Sequence, residues 1–274
     1  MNIANFKRLF VSFSQLATVF IFLLTASCKP PSDNTSVETN SSTPQLGKAW
    51  KNSLGMKFVP VPGTRVLFSI WETRVKDYRV FAKANKQIAT YWQERARQED
   101  YPVTQIPWGP GANDNDPDDA KNFCEWLTIK EQHEGRISKT QRYRLPRESE
   151  WDLAVGCFKY PWGDTWPPPN ESGNYFKELH VDKFESYSPV GSFSPNIYGI
   201  YDLGGNVAEL CEDKYDEKKG MGDFVYGNRV CRGSTYLDGT PDSLVSSVRR
   251  MAGFHLWGQH IGFRVVLEVD DSSK

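Results

Sequence analysis

The chain lacks an excess of charge of either sign. Its 33 Lys and Arg residues stand against 34 Asp and Glu, a formal charge of −1 at pH 7. That balance creates no field that would draw in nucleic acid or an anionic membrane surface. Histidine is scarce, limited to His133, His180, His255 and His260. Only "HLWGQH" brings two of them close. Its spacing is one residue too long for a helical i, i+4 pair, so it reads as a packed loop rather than a pair of metal ligands. Cysteine is confined to five positions, Cys28, Cys124, Cys157, Cys211 and Cys231. No unit of 20–50 residues recurs, which removes repeat architectures from consideration.

Aromatic residues and turn formers are abundant. Nine Trp, 12 Tyr and 16 Phe make up 14% of the 274 residues, enough to build a sizeable core. The 21 Gly and 17 Pro point to many turns and irregular segments. The length allows one large domain or two small ones.

The single long apolar run is at the N-terminus. Lys7 and Arg8 precede "LFVSFSQLATVFIFLLTAS", a basic-then-apolar-then-small order that marks an export signal. "LLTASC" places Ala26 and Ser27 directly before Cys28 and resembles a bacterial lipoprotein signal, although Thr25 stands where Leu is usual. The expectation is a signal over 1–28, cleaved to leave a lipidated Cys28 and an exported protein anchored to a membrane. Plain secretion and an uncleaved anchor are the alternatives. Residues 29–50, beginning "KPPSDNTSVETNSSTPQLGK", are polar and too poor in apolar side chains to offset ordering entropy, so they read as a flexible spacer.

A folded domain is expected over 51–270. Met56, Phe58, Val59 and Val61 form a strand-like run closed by Pro62-Gly63, and "RVLFSIWETRV" reads as a second strand. Val75, Tyr78, Phe81 and Ala84 recur at helical spacing. In "DPDDAKNFCEWLTIKEQHEG", Asp116 is placed to cap, Pro117 suits the first turn, and Asp118 and Asp119 suit the positive helix end. Ala120, Phe123, Cys124 and Leu127 share one side, and Gly135 ends the helix. "NDNDPDD" lacks the Gly of a calcium loop and contains Pro, so it reads as a loop and helix start. From Cys157 to Val266 short apolar pieces alternate with Gly, Pro, Asn and Asp. Such a half needs bound ions or disulfides beside core packing.

Several motifs, taken in order, resemble one family. They are "NSLGMKFVPVPG", "AKNFCEWLTIKE", "YRLPRESEWDLAV", "YPWGD", "PVGSFSPNIYGIYDLGGNVAELCED", "RVCRGSTY" and "IGFRVV". Together, over about Ser53 to Val266, they resemble the formylglycine-generating enzyme, or sulfatase-modifying factor, family. The resemblance implies an α+β, C-type-lectin-like fold, rich in loops, with few helices and short antiparallel strands. It also implies two calcium ions. One would be held by Asn174, the Tyr175 carbonyl, Asp182 and the Phe184 carbonyl. The other would be held by Asp202, the Gly205 and Val207 carbonyls and Glu209. Oxygen donors of this kind suit calcium; capping of turns by Asp202 and Glu209 is the plainer reading.

In family members that oxidise cysteine to formylglycine, the resemblance implies a copper(I)-binding cysteine pair, five residues apart, in the loop after the "RV-RGGS" motif. Here those positions are Asp238 and Ser243, neither a soft ligand, so copper is not expected. No histidine completes a triad with them. "NVWEW" has become "NVAEL" with Ala208 and Leu210, "GGS" has become Gly233-Ser234-Thr235, and Arg147 replaces the helix-capping threonine of "LPTE". Arg249 and Arg250 with Asp238 and Ser243 are a candidate groove. Its plainer reading has one arginine paired with a carboxylate and the other solvated.

Without Cys28, the remaining four cysteines allow three pairings. Cys211 with Cys231 would tie the second calcium turn to the loop, and free buried thiols are the alternative. The leading expectation is a pseudoenzyme: a calcium-stabilised binding module, tethered at the periplasmic or cell-surface side of a membrane or secreted, for a protein, peptide or glycan ligand. The alternative is an active formylglycine-generating oxidase acting on a cysteine of sulfatases.

Overall fold

The computed structural model describes residues 43–85, 99–107, 118–215, 229–252 and 259–270. The expected signal, Cys28, most of the spacer, Asp116, Pro117 and His255 lie outside them. Among the described residues no helix is long and apolar enough to cross a membrane.

Two sheets form the frame. The first has five antiparallel strands: β1 (Trp50–Lys51), β2 (Lys57–Pro60), β3 (Val66–Ser69), β4 (Arg142–Arg144) and β9 (Val266–Glu268), in the order β1-β2-β3-β9-β4. The second consists of β5 (Ala208–Lys214), β6 (Arg229–Arg232), β7 (Arg249–Ala252) and β8 (Ile261–Gly262), in the order β7-β6-β5-β8. Only its β5–β8 pairing is parallel. Residues 263–265 step from one sheet to the other. Phe263, Arg264 and Val265 are each fully buried there.

β3 is central, with Leu67 opposite Leu267 on one side and Val59 opposite Phe68 on the other. Burial on all four residues explains its unbroken apolar run. The strand expected through Val75 ends at Ser69. Beyond it the backbone bonds elsewhere: Thr73 N–H donates to Phe263 O at 2.8 Å, and Val103 N–H donates to Thr73 O at 2.9 Å.

The helices follow the apolar spacing. α1 (Val75–Ala84) buries Val75, Tyr78 and Phe81. α2 (Asp119–His133) buries Ala120, Phe123, Cys124 and Leu127. Phe123 meets the rings of Tyr78, Phe81, Trp126 and Phe263 at centroid distances of 5.6 to 6.1 Å. The cap of α2 is Asp118, whose carboxylate accepts from Lys121 N at 3.1 Å, so the helix starts after the expected Asp116 cap. In α3 (Glu148–Val155), Arg147 offers no capping acceptor. Instead Asp213 of β5 accepts from Glu148 N at 2.6 Å, and Glu150 accepts from Arg147 N at 2.8 Å. The capping lost at position 147 is supplied across the fold.

The pairing of Cys211 with Cys231 does not occur; both are buried free thiols, as is Cys124. Leu210, not Cys211, faces Cys231 across β5 and β6. Successive strand residues point to opposite faces. Cys231 therefore packs with Leu210 against the helix-side core, while Cys211 packs with Trp151 of α3. With Cys124, Cys211 and Cys231 all free, none of the three pairings among the four cysteines holds.

Between α3 and β5 the only helical element is a single 3₁₀ turn, Lys177–Leu179. Side-chain bonds to the backbone replace a ladder there. Asn196 accepts from Tyr198 N and Ile200 N and donates to Ala154 O, at 3.0, 3.1 and 2.7 Å. The α+β, loop-rich expectation is met.

Candidate functional site

The turn from Asp202 to Glu209 enters β5 and lies against the end of β3. Three of its residues have left-handed backbones: Asp202 at φ 57°, Gly205 at φ 83° and Asn206 at φ 56°. A Cβ on Gly205 would sit 2.3 Å from the Asn174 carbonyl oxygen, so the close approach of the two segments requires glycine.

Glu209 is 1% exposed and forms a fork with the fully buried Arg264. Nε reaches Oε2 and Nη2 reaches Oε1, both at 2.6 Å. Trp151 Nε1 adds a bond to Oε2 at 2.9 Å. Arg264 also donates to Ser69 O and Tyr201 O, tying both sheets to the turn. Asp202 accepts from Gly191 N at 2.7 Å. Burial pushes its carboxyl up to about 6, against the opposing effects of that bond and of Arg264, and Glu209 adds to the rise.

A third carboxylate belongs to the cluster. Glu72 is 1% exposed and accepts from Asn206 Nδ2 at 2.7 Å and Val207 N at 3.3 Å. Burial first, then Asp202 and Glu209, hold its carboxyl well above the ordinary range. Three inward carboxylates thus share one guanidinium, an excess of negative charge in a low-dielectric setting. A cavity of about 30 Å³, enough for one water-sized body, opens beside Asp202, Ser172 and Gly204. Sequence reading missed Glu72. Its one signal was a lone carboxylate inside the apolar run "FSIWET".

The side chains of the other predicted set are held by separate hydrogen bonds. Asn174 is 1% exposed and donates through Nδ2 to Ser186 O at 2.7 Å and Asn206 Oδ1 at 3.2 Å. Its Oδ1 is buried with no hydrogen-bond partner. Asp182 accepts from Tyr175 N at 3.1 Å and Phe184 N at 2.7 Å, closing the loop that carries both carbonyls. Among the described residues no three His, Cys, Asp or Glu side chains gather as a metal group. A cation here would draw on amide and carbonyl oxygens beside the carboxylates, a mixed set that fits calcium. The orphaned Asn174 oxygen in this set, and the charge at Asp202 and Glu72 that Arg264 leaves unanswered beside the other, are what such ions would satisfy.

The loop from Gly233 to Val248 is tightly stapled. Asp238 accepts from Thr235 N at 2.7 Å and Thr235 Oγ1 at 2.9 Å, and pairs with Arg250 at 2.8 Å. Arg250 also donates to Ser243 O at 3.2 Å. The Ser243 hydroxyl is spent locally on Thr240. Asp238, Ser243 and Arg250 therefore meet. Arg249 departs to the other side: it pairs with Glu148 at 2.8 Å and lies over the Tyr215 ring at 4.2 Å. The expectation of one solvated arginine is corrected, since both have carboxylate partners. Cys231 at the loop's start is buried, and burial pushes its thiol up, away from thiolate chemistry. A separate cavity of about 420 Å³ beside Cys124 and Tyr143 has its three arginines already engaged, Arg142 with Glu268, Arg144 with Glu150 and Arg229 with Asp118.

Residues 49–269 match the family described as sulfatase-modifying factor enzyme 1-like domain. The chain belongs to this family. An inactive C-alpha-formylglycine-generating enzyme 2 from Bos taurus is 32% identical over 148 residues, covering 51% of this chain and 40% of that protein. A formylglycine-generating enzyme from Thermomonospora curvata is 35% identical over 81 residues, covering 26% of this chain and 27% of that protein. The chain thus spans two fifths or less of these curated relatives. The solved structure of PvdO from Pseudomonas aeruginosa superposes with a TM-score of 0.60 at 19% identity, covering 82% of this chain and all of that one. The fold of this sulfatase-modifying-factor domain is accordingly the formylglycine-generating-enzyme fold.

Proposed function

We propose that this domain is a non-catalytic binding module, stabilised by calcium and tethered outside a membrane through Cys28. The observation that carries the reading is the Asp238–Arg250 ion pair, with Arg250 bonded to Ser243 O. It ties together Asp238 and Ser243, which stand at the two positions where the oxidising relatives are expected to hold copper(I). A carboxylate committed to a guanidinium and a serine committed to Thr240 offer no soft ligand. The inactive enzyme named among the relatives supports the same reading.

Calcium would be held by Asn174, Tyr175 O, Asp182 and Phe184 O, and by Asp202, Gly205 O, Val207 O and Glu209. It would supply the positive charge and coordination that irregular loops lack. The loop around Leu237, whose side chain is 48% exposed, is then a rigid surface for a protein, peptide or glycan. To test this, the processed protein in detergent is loaded with copper(I) and given oxygen and a Cys-x-Pro-x-Arg peptide. Mass spectrometry should show an unchanged peptide. Aldehyde above a metal-free control would refute the binding-module reading and favour the oxidase.

A further inference from the structure

We propose that Asn206 is a positioning residue that couples the two cation sites, so that filling one raises the affinity of the other. The proposal rests on the calcium reading above and adds a communication between the sites.

Every polar group of Asn206 is used, and the residue is 1% exposed. Its N–H donates to Asn174 O at 2.9 Å, and its carbonyl accepts from Tyr236 N at 3.0 Å. Its Oδ1 accepts from Asn174 Nδ2 at 3.2 Å and Ser188 N at 2.9 Å. Its Nδ2 donates to Glu72 Oε2 at 2.7 Å and, more weakly, to Ser188 O at 3.4 Å. Asn174 is the amide ligand of the first set. Asn206 sits between Gly205 and Val207, the carbonyl ligands of the second. One site's ligand is therefore bonded twice, by backbone and by side chain, to the residue that joins two ligands of the other. Glu72 closes the connection by also accepting from Val207 N at 3.3 Å.

The direction of the effect follows from the bonds. Asn174 has one amide oxygen without a partner and one amide nitrogen on Asn206 Oδ1. A cation on that oxygen would polarise the amide and tighten the bonds its nitrogen already donates to Ser186 O and Asn206 Oδ1. That amide then holds Asn206, and through it Glu72 and the 205–207 backbone. The ordering of the shared backbone falls on the first ion, and the second binds a turn already set. By reciprocity the second site does the same for the first, and couplings of this type amount to about fivefold to 150-fold in affinity.

The test is calorimetric titration of calcium chloride into the metal-stripped, processed chain, for wild type, Asn174→Ala, Asp202→Asn and Asn206→Gly. Glycine keeps the positive φ and removes only the side-chain bonds. Wild type should take two ions with positive cooperativity. Asn174→Ala and Asp202→Asn should each take one, at least about fivefold more weakly than the coupled site. Asn206→Gly should take two ions independently. Should Asn206→Gly not fold, Glu72→Gln replaces it: an amide now faces the Asn206 and Val207 donors, and the cooperativity should drop. Two independent ions in wild type overturn the coupling and leave the calcium reading standing. Undiminished cooperativity in Asn206→Gly, or in Glu72→Gln where it stands in, also overturns it. No calcium uptake by wild type overturns both.

Discussion

At the scale of single residues, what matters is where each charge finds its partner. Arg264 answers only one of three inward carboxylates, and Asp202 shows the consequence. Its carboxyl, raised from 3.8 to about 6 by burial and by Glu209, binds a proton more tightly in the folded chain than in the unfolded one. A raised carboxyl contributes stability that is fully present below the unfolded value and is lost as pH rises through the folded value. The window runs from about pH 4 to about pH 6, and the shift is on the order of 3 kcal/mol. Without calcium, Asp202→Asn should therefore gain stability relative to wild type as the pH is raised through that window. Urea denaturation of both proteins in chelator at pH 4.5 and pH 7.5 measures the difference. A constant difference would show that Asp202 does not carry the surplus charge. The pairing of Asp238 with Arg250 belongs to this scale too. Sequence reading identified both side chains and the missing cysteines, but not that one replacement neutralises a neighbouring arginine.

At the scale of elements, the periodic segments were legible and the caps were not. The 3.6-residue spacing of Ala120, Phe123 and Leu127 marked α2, and the run Met56 to Val61 marked β2, because each has one solvent face and one core face. β7 and β8 gave no such signal. They are four and two residues long, and a two-residue strand has no period to read. The start of α3 depends on Asp213, 65 residues away from Glu148. Removing this acceptor by Asp213→Ala should cost about 1 kcal/mol, as for a local N-cap. Asp213→Asn keeps an oxygen in place and should retain most of the stability. Equal losses in urea denaturation would show that the charge, not the hydrogen bond, is what holds the helix end.

At the scale of the molecule, the tether and the frame are separate questions. The frame is a family domain matched over 49–269. The tether is the proposed thioether lipid on Cys28, left in place after the apolar run is cleaved away. With the native signal in a bacterial host, the protein should enter the detergent phase on warming a Triton X-114 extract. Cys28→Ser should move it to the aqueous phase or leave an unprocessed precursor. A wild-type protein found in the aqueous phase would end the anchoring proposal.

The sequence by itself determined the family, the loop-rich α+β frame, the positions of α1, α2 and β2, and the absence of a soft-ligand pair at Asp238 and Ser243. These are local properties: spacing, composition and residue type at fixed offsets. The tertiary structure alone decided that Glu72 joins Asp202 and Glu209, that Cys211 and Cys231 face opposite sides of one sheet, and that Asn206 joins Asn174 to the second turn. Each of these depends on a register or a crossing between segments far apart in the chain, and hydrogen bonds across 32 and 134 residues leave no periodic trace in the sequence.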